Sequence, residues 1–163
     1  MAPATGVDAL DARIITLFTE RPQIGVLGAS RALGVARGTV QSRLERLVER
    51  GVIISFAPTI SPAGTGYPVT AYCSLQISQV PGQSQVVEHL SAIPEVIEAS
   101  TVTGAFDLLV IVVARNNDDL QRVIDHVVEH PLVERASTQI VLATRVRNRT
   151  LPLVQEAART CVD

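Results

Sequence analysis

Arginines supply all the basic chemistry of this chain and gather in one segment. The 163-residue sequence contains 14 arginines and no lysine. A guanidinium is planar and donates hydrogen bonds in pairs, which suits it to phosphate groups and to the edges of bases. Five arginines and only two glutamates fall between Arg31 and Arg50, although the whole chain has a formal net charge of −2. This segment is therefore a candidate surface for binding a nucleic acid.

Three predicted amphipathic helices position these arginines. Apolar residues recur at helical spacing in three stretches, residues 10–18, 27–33 and 40–48. Asp8 or Asp11 is placed to cap the first helix. Only residues 34–36 separate the second and third helices, and a short turn with a glycine between two helices is typical of a helix-turn-helix. The β-prone run from Val52 to Phe56 predicts a hairpin or wing.

The third predicted helix presents a polar face that suits a DNA groove. With Val40 at the centre of the apolar stripe, Gly38 and Arg46 point away from the core at 100° per residue. Arg37 begins the helix, where recognition-helix residues meet base edges, and Arg43 lies on the flank, which suits a phosphate contact. The predicted DNA-binding residues are Arg31, Arg37, Gly38, Thr39, Gln41, Ser42, Arg43 and Arg46. The alternative is a protein-binding adaptor domain in which these arginines are only solvated.

The rest of the chain predicts a second domain that contains strands. Residues 57–68 hold three prolines, two glycines and no charge, which is typical of a linker. Residues 69–144 follow the order β-α-β-β-α-β, with strands expected at 69–77, 96–103, 106–114 and 138–144. We therefore predict an α+β protein, with an N-terminal winged helix-turn-helix joined to a C-terminal βαββαβ ferredoxin-like sandwich. The expected boundaries are 1–56 for the DNA-binding domain, 57–68 for the linker, 69–144 for the sandwich and 145–163 for a C-terminal tail.

The third predicted strand is apolar on both of its faces. Residues 108–113 are all aliphatic, so each face of the strand needs a cover. The two helices of the sandwich supply a cover for only one face of the sheet. A second copy of the chain, packed sheet on sheet, would cover the other and predicts a homodimer. The alternative cover is the tail that begins at Arg145.

Several classes of protein are excluded by the sequence. The longest apolar run, Leu108 to Ala114, is shorter than the roughly 18 residues of a membrane span. The first residues do not match a secretory signal, so we expect a cytoplasmic protein with no membrane contact. Two cysteines, Cys73 and Cys161, are too few for a disulfide framework and lack metal-ligand spacing. No nucleophile elbow, phosphate-binding loop or dinucleotide-binding glycine pattern occurs, so we expect no catalytic residue, no cofactor and no enzyme.

One motif indicates a different chemistry. His126, Glu129 and His130 match the H-x-x-E-H signature of one class of zinc protease. The spacing puts both imidazoles on one helical face, but that face lies opposite the apolar stripe and meets solvent. A catalytic zinc needs a third ligand and a cleft that excludes water, and no acidic helix follows to supply them. A zinc hydrolase is therefore a remote alternative, and we expect no metal site.

Three sequence features together resemble a known family of regulators. They are the segment LDARIITLFTERP…ALGVARGTVQSRLERLVERGVI, the linker rich in proline and glycine, and TGAFDLLVIV. Over residues 8 to 144 the chain is similar to the Lrp/AsnC family of bacterial and archaeal regulators. The resemblance implies a regulator that binds double-stranded DNA, forms homodimers and octamers of four dimers, and responds to a small effector, usually an amino acid. Two departures are Ala36, where the family usually has a Ser or Thr cap, and Gly25 with Gly28, which predict a short or loosely held second helix.

The turn from Thr103 to Asp107 is the predicted effector site. Gly104 permits a tight turn whose N–H groups can receive a carboxylate, and the carboxylate of Asp107 can pair with an α-ammonium group. The resemblance places the effector between dimers, lined by this turn and by residues near the fourth strand. The predicted effector-binding residues are Thr103, Gly104, Ala105, Asp107, Ser137, Thr138 and Gln139. For Asp107 the alternative is structural, namely a carboxylate that accepts backbone hydrogen bonds or pairs with Arg135.

These features predict a sequence-specific transcriptional regulator whose oligomerisation or DNA binding responds to an amino acid. A second hypothesis keeps the sandwich as a metabolite-sensing subunit and assigns the N-terminal domain to a protein partner. The sequence leaves the role of residues 145–163 open.

Overall fold

The computed structural model describes residues 6–78 and 83–160, which belong to two compact units. The helices are α1 (Ala9–Glu20), α2 (Gly25–Leu33), α3 (Arg37–Glu49), α4 (Gln83–Ser91), α5 (Asn117–Val128) and α6 (Leu151–Thr160). The strands are β1 (Val69–Ile77), β2 (Val96–Thr101), β3 (Leu108–Ala114) and β4 (Val133–Ile140). The head unit is the chain up to Pro58 together with the segment from Val146 onward, and the sandwich unit is Thr59–Arg145. Among the described residues, no helix is both long enough and apolar enough to cross a membrane.

Of the first three helices of the head unit, α1 begins with a side-chain cap, whereas α2 and α3 begin without one. Asp8 caps α1, because its carboxylate accepts from the N–H of Asp11 at 2.8 Å while the Asp11 carboxylate accepts from the N–H of Asp8 at 3.3 Å. Helix α2 ends at Leu33 and is capped by Gly34, whose φ of 69° favours glycine. Ala36 precedes α3 without a side-chain cap. Helix α2 spans nine residues and buries Ala29 completely, so its glycines do not keep it from packing in the core.

The chain after α3 makes a turn where a hairpin was expected. The N–H groups of Val52 and Ile53 both donate to the carbonyl oxygen of Leu47, at 2.9 and 3.1 Å. Residues 52–56 form no strand, so the hairpin prediction is wrong for this described segment. A strand needs a neighbouring strand to accept its hydrogen bonds, and the described chain places none beside this segment. Ile54 is consequently 91% exposed.

The C-terminal tail packs within the head unit. Ala158 of α6 joins Val7 and Ala12 in a small buried cluster, with Ile15 and Val154 at its edge. Helix α6 therefore covers part of α1. The alternative in which the tail covers the sheet is wrong for its described residues, because the apolar side of α6 is already packed against α1.

The sandwich unit is a four-stranded antiparallel sheet in the order β2-β3-β1-β4. Apolar side chains of α4 and α5 form one core with the sheet, as the predicted βαββαβ order requires. Strand β4 begins five residues before its predicted start and ends at Ile140. This early start follows from its pairing with β1, where Val133 already lies opposite Ile77.

The two faces of the sheet differ in their cover. From Ala71 to Ile77, buried side chains of β1 alternate with more exposed ones, and Cys73 and Leu75 are buried under the helices. On the other face Tyr72 lies opposite Ile111 of β3 and is 39% exposed. Leu109 and Ile111 are only half-buried. The open face of the sheet in this single chain therefore carries an apolar row, as the sequence of β3 predicted.

Candidate nucleic-acid interface and effector site

The start of α3 is an exposed basic edge of the head unit. Arg37 is the first residue of α3, Arg31 lies in the last turn of α2, and both residues are exposed. Within residues 6–78 and 83–160, neither guanidinium has an ion-pair partner. A Cβ atom added at Gly38 would meet nothing within 4 Å, so the surface directly in front of this residue is open. A DNA backbone or base edge can therefore approach this edge directly.

Three polar residues continue this surface along α3. Gln41 and Ser42 are exposed, and Thr39 is half-buried. The Nε2 group of Gln41 donates to Oε1 of Glu45 at 2.7 Å, and the Oγ of Ser42 donates to the carbonyl oxygen of Thr39 at 3.2 Å. These residues lie at the surface where the helical spacing placed them, with side chains oriented by groups of their own helix.

Arg43 and Arg46 hold α3 to the start of α1. Nη1 of Arg43 bonds to the carboxylate of Asp8 and lies 3.0 Å from Oδ1 of Asp11, while Nη2 of Arg46 lies 3.1 Å from Oδ2 of Asp11. The side chain of Asp11 is only 1% exposed. A buried carboxylate is costly unless charged donors surround it, and these two arginines supply them. Helical spacing predicted both arginines on the DNA-facing surface, and the two aspartates were interpreted only as helix caps. The ion pairs between the arginines and the aspartates were therefore not predicted.

We call Asp8, Asp11, Arg43 and Arg46 the Asp–Arg cluster. The hydrogen bond to Asp8 raises the pKa of Arg43 most, and the hydrogen bond to Asp11 raises it further. Burial opposes ionisation of Asp8, but the N–H of Asp11 and the guanidinium of Arg43 outweigh it and lower the pKa of Asp8 from its ordinary value of 3.8. The cluster thus pairs two cations with two carboxylates on one flank of α3.

The predicted effector turn lies between β2 and β3. Thr103, Gly104 and Ala105 are exposed, and Gly104 has a φ of 128°, which favours glycine. Asp107 is half-buried, and its Oδ2 accepts from the N–H of Ile77 at 2.9 Å. The carboxylate therefore has the structural contact to backbone that was one of the two alternatives for it.

The predicted effector residues of β4 lie on two faces of the sheet. Thr138 lies opposite Cys73, and its Oγ1 is 3.4 Å from the Cys73 sulfur, so it points to the helix-covered face. Ser137 and Gln139 neighbour it along the strand and therefore point to the open face. The β4 residue beside the turn is Arg135, whose guanidinium carbon lies 5.9 Å from the centre of the Phe106 ring. The sequence considered Arg135 only as a partner for Asp107, and the structure places its guanidinium beside Phe106 of the turn.

Comparison with known proteins decides the family. The model of the Lrp/AsnC ligand-binding domain matches residues 70–151, and a winged helix-turn-helix DNA-binding model matches residues 7–54. The chain belongs to the Lrp/AsnC family. As the sequence predicted, it is a DNA-binding transcriptional regulator with a winged helix-turn-helix and an αβ ligand-binding domain.

Three relatives of this Lrp/AsnC protein match it over nearly their whole length. The HTH-type transcriptional regulator FL11 of Pyrococcus horikoshii is 29% identical over 147 residues, which cover 90% of this chain and 97% of the relative. The structure of E. coli AsnC has a TM-score of 0.80 at 24% identity and covers 90% of this chain and 99% of its own. The feast or famine regulatory protein of M. tuberculosis was solved with L-methionine. Its structure has a TM-score of 0.76 at 21% identity, and the match covers 88% of this chain and 97% of that protein's chain. The two structures share the fold of this Lrp/AsnC chain.

The three histidines of the Lrp/AsnC chain lie together on its sandwich unit. The ring centre of His89 in α4 lies 5.5 Å from that of His126 and 5.4 Å from that of His130. Nε2 of His89 is 2.8 Å from the carbonyl oxygen of His126. In the described part of the chain, no three histidine, cysteine or acidic side chains are arranged to hold a metal ion. The grouping joins α4 to α5, and the relative FL11 carries the name of a transcriptional regulator and not of a hydrolase.

Proposed function

We propose that α3 enters the major groove of DNA with its first turn foremost, so that Arg37 meets base edges. The observation that supports this is the exposed position of Arg37 at the start of α3, without an ion pair to any described residue. Recognition helices read bases with their N-terminal residues. Gly38 permits close approach, and Gln41 and Ser42 supply donors and acceptors for bases. Arg31 of α2 supplies a phosphate contact beside them.

Selection of DNA from a random pool of duplexes tests this proposal. The purified full-length chain should enrich one sequence family, with two half-sites about one helical turn apart, because a symmetric dimer presents two α3 helices. Enrichment of no sequence, together with equal affinity for every duplex tested, would overturn it.

We propose that the regulator is a homodimer joined through the open face of the sheet, and that dimers assemble further into octamers. The support is the apolar row that includes Leu109, Ile111 and Tyr72, because water contact with such a row is unfavourable. The two helices of the sandwich unit cover the opposite face of the sheet, so a second copy of the chain is needed to cover this one.

We infer that an amino acid is the effector and binds at the turn between β2 and β3. The N–H groups beside Gly104 and the guanidinium of Arg135 supply partners for its carboxylate, and Asp107 supplies negative charge for its ammonium group. The other residues of the proposed effector site are Thr103, Ala105, Ser137, Thr138 and Gln139. The M. tuberculosis relative was solved with L-methionine, which supports this class of effector.

A panel of amino acids tests the effector site. At least one should raise the unfolding temperature of the protein and change its affinity for the selected duplex, since ligand binding and DNA binding are linked. Arg135→Gln should abolish both changes, whereas Arg115→Gln, at an exposed arginine over Tyr67, should keep them. If no amino acid changes either quantity, the effector proposal fails while the DNA proposal stands.

We infer further that the chain acts in the cytoplasm and without catalysis. Curated relatives such as FL11 carry the name of transcriptional regulators, and this supports a role exercised through binding and not through catalysis.

A further inference from the structure

The arginines of α3 fall into two groups with different partners. Arg37 is exposed at the start of the helix, whereas the guanidinium groups of Arg43 and Arg46 are bonded to Asp8 and Asp11. The side chain of Arg43 is only 25% exposed and that of Arg46 is 45% exposed. Two cations of α3 are thus paired with carboxylates of α1, one of them at a partly exposed position.

Asp11 is the centre of this arrangement. Its two carboxylate oxygens accept from Arg43 at 3.0 Å and from Arg46 at 3.1 and 3.2 Å, and the N–H of Asp8 adds a fourth contact at 3.3 Å. Because the carboxylate is almost fully buried, it cannot exchange these partners for water without a large cost. The charges of Arg43 and Arg46 are therefore balanced within the head unit, with Nη1 of Arg43 and Nη2 of Arg46 held by the Asp11 carboxylate.

This pairing has a consequence for DNA discrimination. A free guanidinium beside a recognition helix binds the phosphates of every sequence alike and adds affinity without selectivity. We propose that Asp11 is a specificity-determining residue, which keeps Arg43 and Arg46 from non-specific phosphate contact and so leaves Arg37 to decide which duplex is bound. The proposal rests on the proposed entry of α3 into the major groove.

The test compares salt dependence on two probes, the duplex that the wild-type chain selects from a random pool and a labelled random-sequence duplex. Asp11→Asn keeps the shape of the side chain and removes its charge. It should strengthen binding to the random duplex and steepen the plot of log affinity against log salt concentration by about 1 to 2, since each new phosphate contact adds roughly 0.9. The ratio of selected to random affinity should fall.

Two further variants separate this role from a loss of folding. Glu20→Gln removes the same charge from the same helix and should leave both the slope and the ratio unchanged. The triple variant Asp11→Asn, Arg43→Gln, Arg46→Gln should return the slope to the wild-type value, because the released arginines are gone. Far-ultraviolet circular dichroism establishes that each variant is folded.

Several results would overturn the inference. One is a folded Asp11→Asn protein with wild-type slope and wild-type discrimination. Another is a triple variant whose slope falls below wild type by about 1 to 2, because the arginines would then contact phosphate even with Asp11 in place. If the wild-type chain selects no duplex, the proposed function fails before this inference is reached.

Discussion

The guanidinium of Arg122 in α5 bonds to the buried carboxylate of Glu95 at 2.5 Å and also to Asp119 at 2.9 Å. Glu95 is 7% exposed and immediately precedes β2, so this ion pair fastens α5 to one edge of the sheet. The pKa of Arg122 is raised by the hydrogen bonds to these two carboxylates. The sandwich unit, which carries the proposed effector turn, depends on this contact for part of its stability.

Replacing Arg122 by methionine should lower the free energy of unfolding by about 1–2 kcal/mol, because a buried carboxylate loses its charged donor. This loss is smaller than for a fully buried ion pair, because the side chain of Arg122 is half-exposed and water can partly replace it as a donor to Glu95. Urea denaturation measures it. Arg159→Met, which removes the surface pair with Glu156, should change stability by less than about 0.5 kcal/mol. Equal effects of the two substitutions would contradict the assignment.

Acid should weaken the head unit through Asp8. Its pKa in the folded protein is below the ordinary value of 3.8, because the Asp11 N–H and Arg43 outweigh burial. A lowered folded pKa means that the stabilisation is fully present above the ordinary value and is lost as the pH falls through the folded value. The stability difference between wild type and Asp8→Asn should therefore be constant near neutral pH and shrink below about pH 4. A difference that grows on acidification would contradict the ion pair.

The packing of α6 on α1 gives a third prediction. Ala158→Asp should destabilise the head unit by about 2–3 kcal/mol, because it places an unpaired charge in the cluster with Val7 and Ala12. Leu153→Asp is the matched control in the same helix, since Leu153 is 68% exposed and should tolerate the charge. Thermal unfolding followed by circular dichroism compares the two. Similar unfolding temperatures for both variants would show that α6 does not depend on this cluster.

The open face of the sheet gives a fourth prediction. Ile111→Glu should convert the proposed homodimer to monomers, because the charge would lie opposite Tyr72 in the apolar row. Val87→Glu, at a 41% exposed position of α4 away from that row, should leave the dimer intact. Light scattering of each variant as it elutes from a size-exclusion column measures the mass of the assembly. A dimer that survives Ile111→Glu would place the subunit contact elsewhere.

The sequence was a reliable guide where local periodicity decides structure. The spacing of Val40, Leu44 and Leu47 identified α3, and the alternation of β1 identified its buried face. It failed where a distant part of the chain decides the outcome. Arg43 and Asp11 are 32 positions apart in the sequence, and the periodic pattern of neither helix predicts that they pair.

Two other differences have the same origin. Residues 52–56 have the composition of a strand but no partner strand among the described residues, so composition alone misassigned them. The partner of α6 is α1, which lies at the other end of the sequence, and an amphipathic pattern does not say which surface it will cover.

The role of Arg37 is the central claim, and its most direct test is the affinity of Arg37→Ala for the duplex that the wild-type chain selects. Loss of a base contact should cost about 1–3 kcal/mol, or roughly fivefold to 150-fold in affinity, with relaxed preference at one position of each half-site. Arg159→Ala, which removes an arginine already paired with Glu156, serves as the control and should bind as wild type does. An Arg37→Ala protein that binds the selected duplex with wild-type affinity and wild-type preference would contradict the account.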